Sequence, residues 1–158
     1  MPARPAFPGL TAARDWMVDR HIAARGVTDE NVLEAMRTVP REAFLPPNLA
    51  RWAYADRPLP IGEGQTISQP YIVAFMAEAA ALRPGDRVLE VGTGSGYQAA
   101  VLGELARAVY AVEIRPELAA QARVNLEVAG ADNVRVRGYY VYVNGRRTTV
   151  SIICTTES

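Results

Sequence analysis

Glycines at 92, 94 and 96 stand in the segment VLEVGTGSGY, between a short apolar run and a stretch that reads as a helix. Glycine at such places lets the chain turn sharply and lets a ligand approach main-chain N–H groups with no Cβ in the way. The spacing is G-x-G-x-G. Tyr97 stands where a dinucleotide fingerprint has its third glycine or alanine, and no Gly-Lys-Ser/Thr follows, which sets aside a phosphate-cradling P-loop. Glu90 lies just upstream of the first glycine, and Glu113 closes the next apolar run. A carboxylate at a strand's carboxyl end, about 20 residues past the loop, is placed to accept hydrogen bonds from both hydroxyls of a ribose. Taken singly, the glycines also suit a tight strand-to-helix turn, and Glu113 a solvated strand end. Together they point to an adenosine-containing ligand.

The elements around these residues alternate. Apolar strands are expected over 87–91, 109–113 and 133–137, separated by helices over 97–106 and from Pro116 to Gly130. Strand–helix–strand at this spacing implies a parallel sheet with right-handed crossovers in a three-layer α/β core. Upstream, a helix starting at Thr11 and ending before Gly26 is expected to turn Trp16, Val18 and Ile22 inward. A second helix runs from Thr28 to Thr38, with Val32, Leu33 and Met36 on one face, and Pro40 stops it. The stretch that follows is rich in Pro and Gly and reads as irregular, with a short helix over 49–54. A third helix opens at Pro70, with Ser68 or Gln69 near its cap.

Composition narrows the field. Seventeen basic and seventeen acidic residues cancel, with every basic residue an arginine. A chain with no excess positive charge is a poor candidate for a nucleic-acid binder. Hydrophobic residues make up 49% and charged residues 22%, which excludes intrinsic disorder. No apolar run reaches the roughly 18 residues of a membrane span, and the first ten residues show no secretory h-region, so a cytoplasmic location is expected. One cysteine and one histidine make a metal centre or a His-dependent triad improbable. Trp16, Trp52 and Tyr97 are of a type that stacks on ligands, but core packing is the preferred reading; His21 reads as helix surface and Cys154 as a buried small hydrophobe.

Two longer stretches carry a family resemblance. PLPIGEGQTISQPYIVAFM followed by PGDRVLEVGTGSGYQAAVL is similar to protein-L-isoaspartate O-methyltransferases, and the upstream VPREAFLP and AYADRPLPIG fit the same family. The E-x-G-x-G-x-G pattern resembles the S-adenosylmethionine loop of Rossmann-like methyltransferases. The resemblance covers roughly residues 14–138. It implies that S-adenosylmethionine donates a methyl group to the α-carboxylate of an L-isoaspartyl residue in a damaged peptide or protein. The ester then collapses to a succinimide that reopens in part to normal aspartate. On this resemblance the cofactor loop falls on Glu90, Gly92, Gly94 and Gly96, and the ribose-binding acid on Glu113. The active-site serine falls on Ser68, with Thr66, Ile67 and Gln69 lining the same site. No metal is implied. From the residues alone, Ser68 has a second reading as the N-cap of the helix that Pro70 opens.

The resemblance stops at 139. The family continues with a Gly-Asp-Gly segment, whose acid lies near the adenine, and then with a further half sheet. Here Gly138 is followed by Tyr139-Tyr140, and Asp132 is the last aspartate. Alanine and leucine, abundant up to 138, vanish in 139–158, where Tyr, Val, Ile and Thr dominate. A hairpin is expected there, with strands over 139–143 and 148–154 about Asn144-Gly145. The segment SIICTT also faintly echoes the family's fourth strand.

The expected organisation is a helical region over 1–82 carrying Ser68, the first half of a Rossmann-like cofactor-binding domain over 83–138, and a strand-rich tail over 139–158. The expected fold is α/β, a truncated Rossmann-like S-adenosylmethionine-dependent methyltransferase fold with a C-terminal β-hairpin. The tail is expected to cap the sheet or, preferably, to pair with a second copy in a homodimer. Three functions follow. The first is isoaspartyl methyl transfer, weakened or lost without the remaining half sheet. The second is a non-catalytic adenosine-binding or scaffold domain that self-associates through its tail. The third is a nicotinamide-dependent oxidoreductase, disfavoured by Tyr97 and by the Ser68 segment.

Overall fold

The computed structural model describes residues 9–138, 142–143, 146–147 and 152–156. Helix α1 spans Leu10–Met17 and continues without a break as a π-helical turn, Val18–Ile22, and a 3₁₀ turn, Ala23–Arg25. A π turn takes one residue more than an α turn and so rotates the faces that follow it. Met17, Val18 and Ile22 are buried, while Trp16, about 200° around a regular helix from Val18, is left 55% exposed, its ring edge-on to His21. Trp52 is exposed too, with the guanidinium groups of Arg51 and Arg57 near its ring, 5.3 and 5.4 Å from its centroid. Neither tryptophan is a core residue. Helix α1 starts one residue before Thr11, with Gly9 at its N-cap.

Helix α2, Glu30–Thr38, is capped by Asp29, whose carboxylate accepts from the N–H groups of Asn31 and Val32. Glu78 of helix α3, Pro70–Ala79, accepts from the N–H groups of Thr28 and Asp29 and ties the two helices together. Between α2 and α3 lie 3₁₀ turns at Arg41–Phe44 and Pro47–Trp52, and then an antiparallel hairpin of β1, Leu59–Gly62, and β2, Gln65–Ile67. The Pro- and Gly-rich stretch expected to be irregular thus holds a hairpin.

Strands β3, Arg87–Val91, β4, Ala108–Glu113, and β5, Val134–Gly138, form the expected parallel set, joined by α4, Tyr97–Leu105, and α5, Pro116–Ala129. Since both crossovers step in the same direction across the sheet, right-handedness puts both helices on one face. Val88, Val109, Ala111 and Val136 are buried on that side. The other face carries Leu89 and Tyr110, in register with each other and 41% and 40% exposed. Of the three layers expected of the α/β core, the second helical layer is not observed on this face among the described residues. The apolar core is continuous from Met17 to Val136 and includes the buried faces of α2, α3 and α4.

The tail departs from expectation. Strands β6, Tyr142–Val143, and β7, Arg146–Arg147, pair over two residues each, while β8, Ile152–Thr156, pairs antiparallel with β3. Strand order is therefore β5-β4-β3-β8. The short β6–β7 pair brackets Asn144-Gly145, where a hairpin is expected, and the five-residue β8 ladder on the sheet edge satisfies the N–H and C=O groups that β3 would otherwise leave open. This edge of the sheet is thus paired within the chain, the capping outcome expected beside the homodimer. Asn144-Gly145 and the Cys154 side chain lie outside the described residues.

Candidate active site

The glycine loop leaves the carboxyl end of β3 and is held against β4. The N–H groups of Gly92 and Thr93 both donate to the Val112 carbonyl, at 2.8 and 3.2 Å. Glu113, at the end of β4, accepts from Gly94 N–H at 2.8 Å and from Arg115 N–H at 3.0 Å. Its carboxylate is 3% exposed and ties the loop to the chain beyond β4. Each oxygen keeps further acceptor capacity, as a carboxylate offers about four lone-pair sites.

Two of the glycines are required by what surrounds them. Gly94 has φ +57°, and a Cβ there would lie 3.2 Å from Ile61 Cδ1 of β1. Gly96 has φ +91° and caps α4; its Cβ would meet Leu126 Cγ of α5 at 3.2 Å. Gly96→Ala combines left-handed backbone with a clash in the helix–helix seam. It is expected to destabilise by about 1–3 kcal/mol, read as a lower urea midpoint with the slope unchanged.

Opposite the loop lies the turn after β2. A cavity of about 150 Å³ separates them, lined by Thr66, Ile67 and Ser68 from one side and by Glu90, Gly92, Gly94 and Glu113 from the other. Seven of the nine residues singled out from the sequence thus share one cavity. Gly96 acts from behind, as the hinge of α4. Gln69 does not line it: its side chain donates to the backbone and carboxylate of Asp56. Gln69 also occupies the N-cap position of α3 without making a side-chain cap bond, so Ser68 is not the helix cap. Gln65, Val73, Thr93, Ser95, Tyr97 and Gln98 complete the lining; of these only Tyr97 was weighed as a ligand contact, with core packing preferred. Tyr97 is also core, edge-on to Phe44 with its hydroxyl toward Met36 Sδ.

Glu90 is 2% exposed. Burial pushes its carboxyl up to about 7; the nearby Thr93 hydroxyl acts in the opposite direction, and the Glu113 charge adds to the rise. Among the described residues, Glu90 Oε2 and Thr93 Oγ1 are buried without a hydrogen-bond partner. No cluster of three metal-binding side chains occurs among the described residues, and no described helix is long and apolar enough to cross a membrane.

A parallel sheet with a glycine turn at the end of one strand and an acid at the end of the next defines a Rossmann-like unit, open at the carboxyl edge of its strands. The family model of protein-L-isoaspartate(D-aspartate) O-methyltransferase matches residues 12–142. The chain belongs to that family. It is 61% identical over 123 residues to a protein-L-isoaspartate O-methyltransferase of Methanoculleus marisnigri, covering 78% of this chain and 56% of the relative. To one from an Anaeromyxobacter species it is 60% identical over 121 residues, covering 77% and 50%. The chain therefore spans about half the length of these relatives. A solved protein-L-isoaspartate O-methyltransferase, 31% identical, superposes with a TM-score of 0.67 over 81% of this chain and 41% of its own. A Plasmodium falciparum structure of that name, in complex with S-adenosyl-L-homocysteine, shares the fold at a TM-score of 0.68 and 24% identity, covering 78% and 62%.

Proposed function

We propose that this chain binds S-adenosylmethionine at the glycine loop and presents it to the α-carboxylate of L-isoaspartyl residues in peptides and proteins, in the cytoplasm. One observation carries the reading. The Thr66-Ile67-Ser68 turn and the Glu90–Glu113 loop region, far apart in sequence, face each other across one cavity.

The cavity suits this cofactor. S-adenosylmethionine carries a sulfonium and an ammonium, and two buried carboxylates, Glu90 and Glu113, face the same space. The Glu113 oxygens have acceptor capacity left for ribose hydroxyls. Gly92 and Gly94 keep the loop backbone bare where the ligand must approach. When bound, the cofactor supplies an already activated methyl group. Ser68, with Thr66 and Ile67, orients the acceptor carboxylate from the opposite wall. That acceptor has an ordinary pKa near 4 and is ionised at neutral pH, so the step needs in-line positioning and no general base. The lack of a histidine in the cavity is no obstacle to such a step.

Calorimetry on the full chain tests the reading. S-adenosylhomocysteine is expected to bind and NAD not to bind. Radiolabelled methyl transfer to a synthetic isoaspartyl peptide, absent with the aspartyl peptide, is the catalytic counterpart. Binding without transfer identifies the non-catalytic adenosine-binding function. Preference for NAD would overturn both.

A further inference from the structure

Arg41 is the most completely buried charged side chain of the described residues, at 0% exposure. It makes no ion pair with a carboxylate among them; its neighbour Glu42 pairs instead with the Tyr54 hydroxyl. All its hydrogen bonds go to main-chain carbonyls. Nε donates to Ala53 at 2.7 Å, Nη1 to Ser68 at 2.8 Å and Nη2 to Arg57 at 3.3 Å. Arg57 lies just before β1 and Ser68 just after β2, so one guanidinium ties together both ends of the β1–β2 hairpin. It also lies 5.1 Å from the centroid of Tyr97, the residue that follows the glycine loop and opens α4.

Burying a charge without a counter-ion is costly, and an apolar side chain of similar volume is often at least as stable. A planar fork that reaches three carbonyls on three segments provides something an apolar residue does not, a fixed spacing between those segments. We propose that Arg41 is a positioning residue that sets the Ser68 turn at its working distance from the glycine loop. The inference rests on the reading of Ser68 as the group facing the methyl acceptor. It adds that the Ser68 main chain is held from behind by a residue that does not line the cavity.

Arg41→Lys tests this in the full chain. Lysine keeps the charge but, as a point donor, cannot span the three carbonyls. Hydrogen exchange followed by mass spectrometry is expected to quicken roughly tenfold over 65–69, as befits the loss of a charge-assisted bond, with 87–91 and 109–113 unchanged. S-adenosylhomocysteine affinity is expected to stay within about twofold, because the loop and Glu113 are untouched. In transfer assays KM for the isoaspartyl peptide is expected to rise roughly tenfold, with a smaller change in kcat.

Unchanged exchange over 65–69, loosening of that turn together with the sheet, or an unmoved KM would each overturn the positioning role. A wild-type chain that binds no S-adenosylhomocysteine and transfers no methyl would instead overturn the functional reading. The exchange comparison would then still decide whether Arg41 holds the turn. Arg41→Met, which leaves all three carbonyls unpaired, is the more severe variant; if it does not fold, the lysine variant decides.

Discussion

Glu90→Gln is expected to stabilise the ligand-free chain by about 3 kcal/mol at pH 8 and to leave it nearly unchanged at pH 4. The Glu90 carboxyl is raised from 4.5 to about 7 in the folded chain, first by burial. Between these two values the folded chain holds a proton that the unfolded chain has released. Stability therefore falls as pH rises through that window, and the full cost is present above about 7. Glutamine has the same shape and does not titrate, so the variant should lack this fall. Urea denaturation at pH 4, 6 and 8 checks it. A variant offset that is the same at all three values would show that the carboxyl is not held neutral by its surroundings.

The same group links stability to binding. A cationic ligand favours the ionised carboxylate, so affinity for S-adenosylmethionine should strengthen as pH rises through about 7 in the wild type and be flatter in Glu90→Gln. The cavity is least stable when empty at the pH where it is best prepared for a cation. A buried acid with a raised pKa at a binding site is the expected form of such a trade.

Much of this arrangement was legible in the residues. The β3–loop–α4–β4–α5–β5 run could be read because short apolar strands, Pro116 and the glycines all mark the same boundaries. The β1–β2 hairpin was missed because Pro60 and the surrounding glycines resemble irregular chain. Its signal was the Glu63-Gly64 pair between LPI and QTI. Both residues have positive φ, +53° and +66°, as a two-residue hairpin turn of the I′ kind requires. Trp16 was misplaced because its spacing is imperfect: two residues rotate a regular helix by about 200°, which sets it opposite Val18 and Ile22. Arg41 could not have been found by type, as one of the many arginines in the chain. Its burial is a tertiary fact, made by three carbonyls from outside its own turn. The tail strand was anticipated, and capping of the sheet was one of its two expected outcomes; the choice of β3 depends on which edge the rest of the sheet leaves open.

Glu113→Ala is expected to lower affinity for S-adenosylhomocysteine by roughly ten- to hundredfold, equivalent to about 1.5–3 kcal/mol for a lost charge-assisted contact. Two effects act together. The variant removes the acceptor proposed for the ribose hydroxyls. It also frees Gly94 N–H, which the carboxylate holds at 2.8 Å, and Arg115 N–H at 3.0 Å. The loop should then be less ordered before the ligand arrives, and ordering it on binding costs affinity. Glu113→Gln separates the two effects, because an amide keeps one acceptor oxygen for the loop and loses the charge. Partial retention of affinity, with loop order retained, would assign the larger share to loop organisation. A drop as large as in the alanine variant, again with loop order retained, would assign it to the ribose contact. Calorimetry on folded Glu113→Ala showing unchanged affinity would remove Glu113 from the site altogether, and with it the Rossmann-like mode of binding at the end of β4.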